Sequence, residues 1–199
     1  MKVIVPTSWE DVTVERYQLI RALDRKDYKT DLGLSVAFID VVCDIDSKEL
    51  SITDFNTISK TIEFMSTDVV ADIKKSINVY GDTYKWVADF NSLSVGEMLS
   101  IEQVIDMEEL TYDMALDVVC AILLRKDGEA FDSNLFAERR ELFNTIPITE
   151  IKGMVNFFSN GGRLSTQNTK VFSITVKQKR KMKSRVKQIL WKVINGFRW

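Results

Sequence analysis

The sequence predicts an α+β fold that is mainly α-helical, with short strands and a central β-hairpin. Three observations support this class. Apolar residues recur at spacings of three and four over much of the chain, which is the period of one helix face. Two strand-like runs flank Gly81-Asp82, a pair of turn residues near the middle. The composition, 45% hydrophobic and 28% charged over 199 residues, is typical of a globular protein.

The first predicted unit, residues 1–68, contains one strand and three helices. The strand covers the apolar residues 3–5. Thr13 has the position of an N-cap, since a hydroxyl there can accept a bond from a free backbone N–H. Residues 34–45 are apolar enough for a buried second helix. Ser51 begins a third helix whose apolar residues, spaced by three and four, lie on one face.

A β-hairpin begins the second predicted unit, residues 69–165. Its strands are expected within residues 69–79 and 83–90, joined by a type II′-like or related tight turn. The residues of the later run that share one face are Tyr84, Trp86 and Ala88. An extra short helix is expected around residues 136–143.

The early pattern returns after the hairpin, which predicts an internal duplication. Three local matches recur in the same order: residues 10–14 with 91–95, 36–45 with 114–124, and 52–55 with 148–151. The second match aligns Cys43 with Cys120 inside apolar helical runs. Cysteine in such a run behaves as a small hydrophobic residue, so both are predicted to be structural and reduced.

The third predicted unit, residues 166–199, contains a strand at 170–176 and an amphipathic helix at 177–197. Apolar residues with helical spacing form one stripe of this helix: Met182, Val186, Ile189, Leu190, Val193 and Phe197. A cationic cluster accompanies the stripe and includes Lys179, Arg180, Lys181 and Lys183. Both sets are predicted to bind a partner.

Charge divides the chain into two parts of opposite sign. Residues 1–150 contain 15 Lys+Arg and all 29 Asp+Glu, a formal charge of −14. Residues 151–199 contain 12 Lys+Arg and no acid, a formal charge of +12. A chain polarised in this way favours contact between its basic end and a partner of opposite sign. We call the acidic residues 1–150 the body of the chain. The partner is the body of the same chain or of a neighbouring copy, nucleic acid, or a membrane surface.

The residue types present support no catalytic or metal site. The chain has no histidine, which removes the usual general base and the commonest transition-metal ligand. Two cysteines are too few for a disulfide framework or a four-cysteine zinc site. Asp40, Asp44 and Asp46 are close together but do not match a calcium-binding loop. We therefore expect no enzyme activity, no metal and no cofactor.

Three interpretations of the basic end remain open. The apolar stripe suits docking of a helix in a groove on a protein. The cations of residues 177–192 suit nucleic-acid phosphates, although no known base-reading motif accompanies them. An interfacial membrane helix is the third interpretation. The sequence predicts no membrane span and no signal peptide, since no apolar run reaches the required length.

Two segments carry a family resemblance. Residues 5–14 (VPTSWEDVTV) resemble the start of small proteins encoded among the structural genes of tailed phages of gut Bacteroidales, crAss-like phages included. Residues 84–87 (YKWV) together with 93–97 (LSVGE) resemble the middle of the same proteins. The resemblance covers roughly residues 1–160 and does not include the basic end. It implies a virion or tail-assembly role.

The resemblance and the charge division together predict a non-enzymatic phage structural protein. We expect a multi-copy virion component of the tail, neck or capsid interior, which binds other virion proteins and copies of itself. The expected locations are the virion and, during assembly, the host cytoplasm. Two alternatives remain: a tail-assembly chaperone absent from the mature particle, and a nucleic-acid-binding protein packaged with the genome.

Overall fold

The computed structural model describes residues 3–87, 93–107 and 112–156, which all lie within the unit Met1–Phe158. These residues form seven α-helices and one three-stranded sheet, so the fold is α+β and mainly helical, as predicted. The helices are α1 (Val14–Ala22), α2 (Asp31–Cys43), α3 (Ile52–Thr61), α4 (Val95–Met107), α5 (Leu116–Leu123), α6 (Phe136–Asn144) and α7 (148–156). The strands are β1 (Ser76–Val79), β2 (Asp82–Trp86) and β3 (Leu124–Arg125).

Side-chain caps fix where three of the early helices begin. The hydroxyl of Thr13 accepts a hydrogen bond from the Arg16 N–H at 3.3 Å, as the sequence predicted. Ser51 likewise accepts from the Asp54 N–H at 3.1 Å. Thr30 caps α2 in the same way, which starts that helix three residues before the predicted apolar run. Each cap satisfies a backbone N–H that has no partner within its helix.

The central hairpin is confirmed, but its turn differs in type and is one residue earlier than predicted, because Asp82 belongs to β2. β1 and β2 are antiparallel, with Ile77 opposite Tyr84 and Val79 opposite Asp82. The two residues of the turn, Tyr80 and Gly81, have φ angles of 50° and 91°. Positive φ at both positions is the type I′ pattern, whereas type II′ has a positive φ only at the first. The predicted face residue Ala88 lies outside the described residues.

One predicted strand is absent, and one strand of the sheet was not predicted. Residues 3–5 form no strand; Val3 and Val5 instead pack their side chains against a small cluster of buried residues. Leu124 was expected to continue a helix, but it adopts an extended conformation and pairs with Trp86 as part of β3. Val3 and Val5 are partly buried and Leu124 is fully buried, and in both cases tertiary contacts decide the backbone conformation.

A single main core joins the start of the described chain to its end. Val14 N–H donates to Ile146 O at 2.9 Å, and Ile148 N–H donates to Val12 O at 2.8 Å. These two hydrogen bonds join the residues at the start of α1 to the residues at the start of α7. Residues from both of the first two predicted units therefore share one core. Its fully buried members include Val12, Val14, Leu116, Ile122, Leu123, Leu124, Phe143, Ile148 and Ile151.

The described structure does not show the predicted duplication. Cys43 is the last residue of α2 and belongs to a small cluster with Ile39, Val42, Ile58 and Ile62. Cys120 instead lies in the middle of α5, inside the main core. α5 is buried along its whole length, whereas only three residues of α2 are buried. Cys43 and Cys120 therefore do not occupy equivalent positions in their helices.

Candidate protein interface

The predicted partner-binding residues lie outside the described residues. They are Met182, Val186, Ile189, Leu190, Val193 and Phe197 of the apolar stripe and Lys179, Arg180, Lys181 and Lys183 of the cationic cluster. The predicted strand at 170–176 and helix at 177–197 also lie there. Their roles therefore stay predictions. What the structure does describe is the acidic body that these residues were expected to contact.

Most basic side chains of the body bind a carboxylate of the body. At least ten of the 15 Lys+Arg before residue 151 do so. They are Arg16, Arg21, Arg25, Lys26, Lys74, Lys85, Arg125, Lys126, Arg139 and Arg140. These cations are already compensated locally. The negative charge left over on the body is therefore carried by carboxylates that no cation accompanies.

Several exposed carboxylates make no ion pair with another described residue. Examples from separate elements are Glu15 in α1, Asp27 before α2, Glu49 before α3 and Asp68 after it. Exposed charges within a Debye length of one another, about 10 Å at 0.1 M salt, add up to an attractive field for a basic partner. The body thus presents a negative surface in the part of the chain that the structure describes.

A second group of carboxylates is buried and holds the body together. Asp117 at the start of α5 accepts hydrogen bonds from Gln18 Nε2 at 2.7 Å and from Arg140 Nε at 2.6 Å. Glu97 in α4 pairs with Arg125 in β3. Because each pair joins different elements, these charges fix the packing of helices and do not form an open site.

An acidic cleft of about 430 Å³ lies between the segment before β1 and the start of α7. Three carboxylates line it, those of Glu10, Asp72 and Glu150. Lys74 Nζ binds Glu150 Oε1 at 2.5 Å, whereas Glu10 and Asp72 make no ion pair with a described residue. The cleft is not predictable from the sequence, because its lining comes from three segments that no local pattern connects.

Exposed apolar side chains accompany the cleft. Val70, which lines it, is 90% exposed, and Ile73 on the same segment is 58% exposed. Scattered exposed apolar side chains are common on protein surfaces, so these two do not by themselves mark an interface. The carboxylates of Glu10 and Asp72, which make no ion pair with a described residue, make the cleft a candidate contact for a basic partner.

The three aspartates considered as cation ligands have structural roles instead. Asp40 accepts the Ser47 N–H at 2.7 Å. Asp44 ends α2 in the left-handed conformation, with a φ of 55°. Asp46 accepts the Lys48 N–H at 3.2 Å and so caps a short 3-10 helix. Within the described residues, no group of three or more Cys, Asp or Glu is placed to hold a metal ion.

The two cysteines are free thiols and both are buried. Burial raises the pKa of Cys43 and raises that of Cys120 well above its ordinary value. The neighbouring carboxylate of Asp117 adds to the pKa shift at Cys120. At Cys43 the charge of Arg16 lowers the pKa and offsets part of the shift, while Asp40 raises it. A raised pKa keeps each sulfur protonated at neutral pH, which is the unreactive form.

We expect neither thiol to react with a thiol reagent while the protein is folded. The measurement is the rate of labelling at neutral pH with and without denaturant. Both cysteines should label at once after unfolding and only slowly before it, with Cys120 the slower of the two, since its residue is 0% exposed against 4% for Cys43. Fast labelling of Cys120 in the native protein would contradict its placement in the main core.

No helix within the described part of the chain is both long and apolar enough to cross a membrane. The chain matches no family model, no curated protein and no solved structure. The function is therefore argued from charge, surface and sequence pattern.

Proposed function

We propose that this chain is a non-enzymatic structural protein of a phage virion, present in multiple copies that bind one another and neighbouring virion proteins. In this proposal the basic end of one copy docks on the acidic body of the next. Its apolar stripe, from Met182 to Phe197, holds the contact, and the cationic cluster steers it.

The observation that carries the proposal is the division of charge. The body has a formal charge of −14 and the final 49 residues one of +12, so two copies placed head to tail are electrostatically complementary. The ion pairs within the body strengthen this argument, because at least ten of its 15 cations are compensated there, whereas exposed carboxylates such as Glu15 and Asp68 make no ion pair with a described residue. A head-to-tail contact of this kind is heterologous and can repeat from copy to copy.

We expect the chain to self-associate and the association to weaken as salt rises. Added salt shortens the Debye length from about 10 Å at 0.1 M to about 3 Å at 1 M, which screens attraction between exposed charges. Sedimentation velocity across that range of salt measures the change. A chain that stays monomeric at low salt would contradict the proposal.

Two sets of substitutions separate docking on protein from binding to nucleic acid. Ile189→Asp with Val193→Asp places charges in the stripe and should abolish self-association while leaving the cationic cluster intact. Neutralising Lys179, Arg180, Lys181 and Lys183 should abolish binding to DNA or RNA if nucleic acid is the partner. Intact assembly in the first variant, with loss of nucleic-acid binding in the second, would favour the packaged nucleic-acid-binding alternative.

A virion component and an assembly chaperone differ in whether the protein is present in the mature particle. Mass spectrometry of purified particles should give abundant peptides of a structural component. Absence from particles, combined with presence in infected cells, would favour the tail-assembly chaperone.

A further inference from the structure

The outer edge of β1 is open within the described residues. The sheet has the order β1-β2-β3, so β1 pairs with β2 on one side only. Trp86 N–H donates to Lys75 O at 3.2 Å, which shows that Lys75 faces the partner strand. Because hydrogen-bonding direction alternates along an antiparallel strand, Ser76 and Asn78 direct their backbone groups away from β2.

Proteins usually protect such an edge. Common devices are charged residues, proline or a bulge on the edge strand, since unpaired N–H and C=O groups invite another strand. Between Ser76 and Val79, β1 has none of these: its sequence is Ser-Ile-Asn-Val, paired to β2 without a bulge, and the nearest charged residues, Lys74 and Lys75, come just before it. Ile77 and Val79 are buried beneath it, while Ser76 and Asn78 are exposed. The edge is therefore available to an added strand.

The acidic cleft continues this edge along the chain. Its lining includes Asp72 and Lys74, only a few residues before β1 begins at Ser76. A strand added to β1 and extended past Ser76 would next meet the cleft, with the carboxylates of Glu10 and Asp72. The surface therefore suits an extended segment with two parts: an alternating apolar stretch for the edge, followed by cations for the cleft.

One segment of this chain has that composition. Residues 170–176 (KVFSITV) alternate, with Phe172, Ile174 and Val176 on one face, and residues 177–181 (KQKRK) follow with four cations. For the cations to reach the cleft, the segment must run antiparallel to β1. Placing Ile174 opposite Ile77 then puts Phe172 opposite Val79 and brings Lys179 level with Asp72.

We propose that residues 170–176 of a second copy add to β1 as an antiparallel strand, with the cations of residues 177–181 in the acidic cleft. Main-chain hydrogen bonds give such a contact its affinity, and alternate side chains give it specificity. This inference rests on the proposed self-association and names the surface of the body that the segment before the apolar stripe contacts. The charges favour a second copy as partner, because the basic residues 177–181 of one copy attract the acidic cleft of another.

The first experiment blocks the edge and the cleft separately in the full chain. Ser76→Pro removes the outward N–H, a change that an edge strand tolerates. Glu10→Lys with Asp72→Lys reverses the sign of two charges that line the cleft. The matched control is Glu102→Lys with Glu138→Lys, which makes the same change of charge at exposed sites in α4 and α6.

We expect Ser76→Pro and the cleft variant each to weaken self-association by about tenfold or more, and the control to weaken it much less. Circular dichroism and burial of the native cysteines check that each variant folds; if Ser76→Pro does not, the cleft variant alone decides. Variants that associate like the unaltered chain would overturn this inference and leave the proposed function standing. An unaltered chain that never associates would overturn both.

The second experiment tests whether the strand comes from another copy. In the proposed register Asn78 is opposite Ser173, with a Cα separation near 5.5 Å that suits a disulfide. A tagged Asn78→Cys chain is mixed with an untagged Ser173→Cys chain under a mild oxidant; Ser165→Cys, outside the segment, is the control.

A disulfide between the two chains, absent with Ser165→Cys, is the expected result. In a sample that associates, absence of that disulfide would overturn the register and the site. A chain carrying both Asn78→Cys and Ser173→Cys that forms its disulfide only within one copy would show that the strand comes from the same molecule, which overturns docking between copies.

Discussion

Replacing Asp117 with alanine is expected to lower the free energy of unfolding by about 3 kcal/mol. The carboxylate is almost fully buried, with 4% of its side chain exposed, and it accepts hydrogen bonds from Gln18 and Arg140. Alanine leaves two donors without this acceptor: the partly buried guanidinium of Arg140 and the side-chain amide of Gln18. The loss is large because those donors were taken out of water to meet this carboxylate.

The matched control is Asp127→Ala. Asp127 also pairs with a cation, Lys85, at 3.0 Å, but 84% of its side chain is exposed. Water solvates both partners, so the change should cost less than about 1 kcal/mol. Thermal or denaturant unfolding of both variants gives the comparison, with a drop in melting temperature of roughly 6–12 °C for Asp117→Ala. Equal losses in the two variants would show that Asp117 is not the buried junction described.

Features of the fold that depend on local sequence were predictable. The caps at Thr13 and Ser51 were read correctly because a hydroxyl and an N–H three residues later form a self-contained unit. The hairpin was predictable from the turn residues near Gly81, although the predicted pair Gly81-Asp82 is one residue later than the observed pair Tyr80-Gly81, which has the positive φ angles of a two-residue loop. Neither feature requires knowledge of distant contacts.

Features that depend on distant contacts were not predictable. Leu124 and Arg125 follow a helix without a break, and only pairing with β2 makes them a strand. The ion pair of Lys74 with Glu150 joins residues 76 positions apart, and no periodic pattern connects them. The acidic cleft depends on that same approach of two segments, so its place could not be seen in the sequence.

The predicted duplication illustrates a limit of pattern matching in apolar helices. Buried helices use the same few residue types, so short stretches around Cys43 and Cys120 look alike without a common position in the fold. The two helices differ in their surroundings. Every residue of α5 is buried, whereas α2 buries only Ile39, Val42 and Cys43, in the small cluster that also contains Ile58 of α3. Burial around the whole helix is a property of the tertiary structure.

Gly153→Ala is expected to destabilise the protein by about 3 kcal/mol, at the upper end for overpacking in a core. Gly153 lies in α7 directly beneath the segment before β1. A Cβ at this position would overlap the carbonyl oxygen of Asp72 and would lie 2.7 Å from that of Ala71. Both obstacles are backbone atoms, so no side-chain rotation can relieve the overlap. The segment must move away from α7, which also disturbs the cleft and the approach to β1.

Gly96→Ala is the matched control, because Gly96 is also helical but has room for a side chain. The nearest atom to its Cβ would be Ser94 Oγ at 3.7 Å, an ordinary van der Waals distance. Alanine there should be neutral or stabilise by up to about 1 kcal/mol, since it favours the helix more than glycine does. Denaturant unfolding of both variants measures the contrast, and hydrogen exchange of residues 71–75 should quicken only in Gly153→Ala. If the two alanines proved equally harmless, α7 and the segment before β1 could not be in the close contact that forms one wall of the cleft.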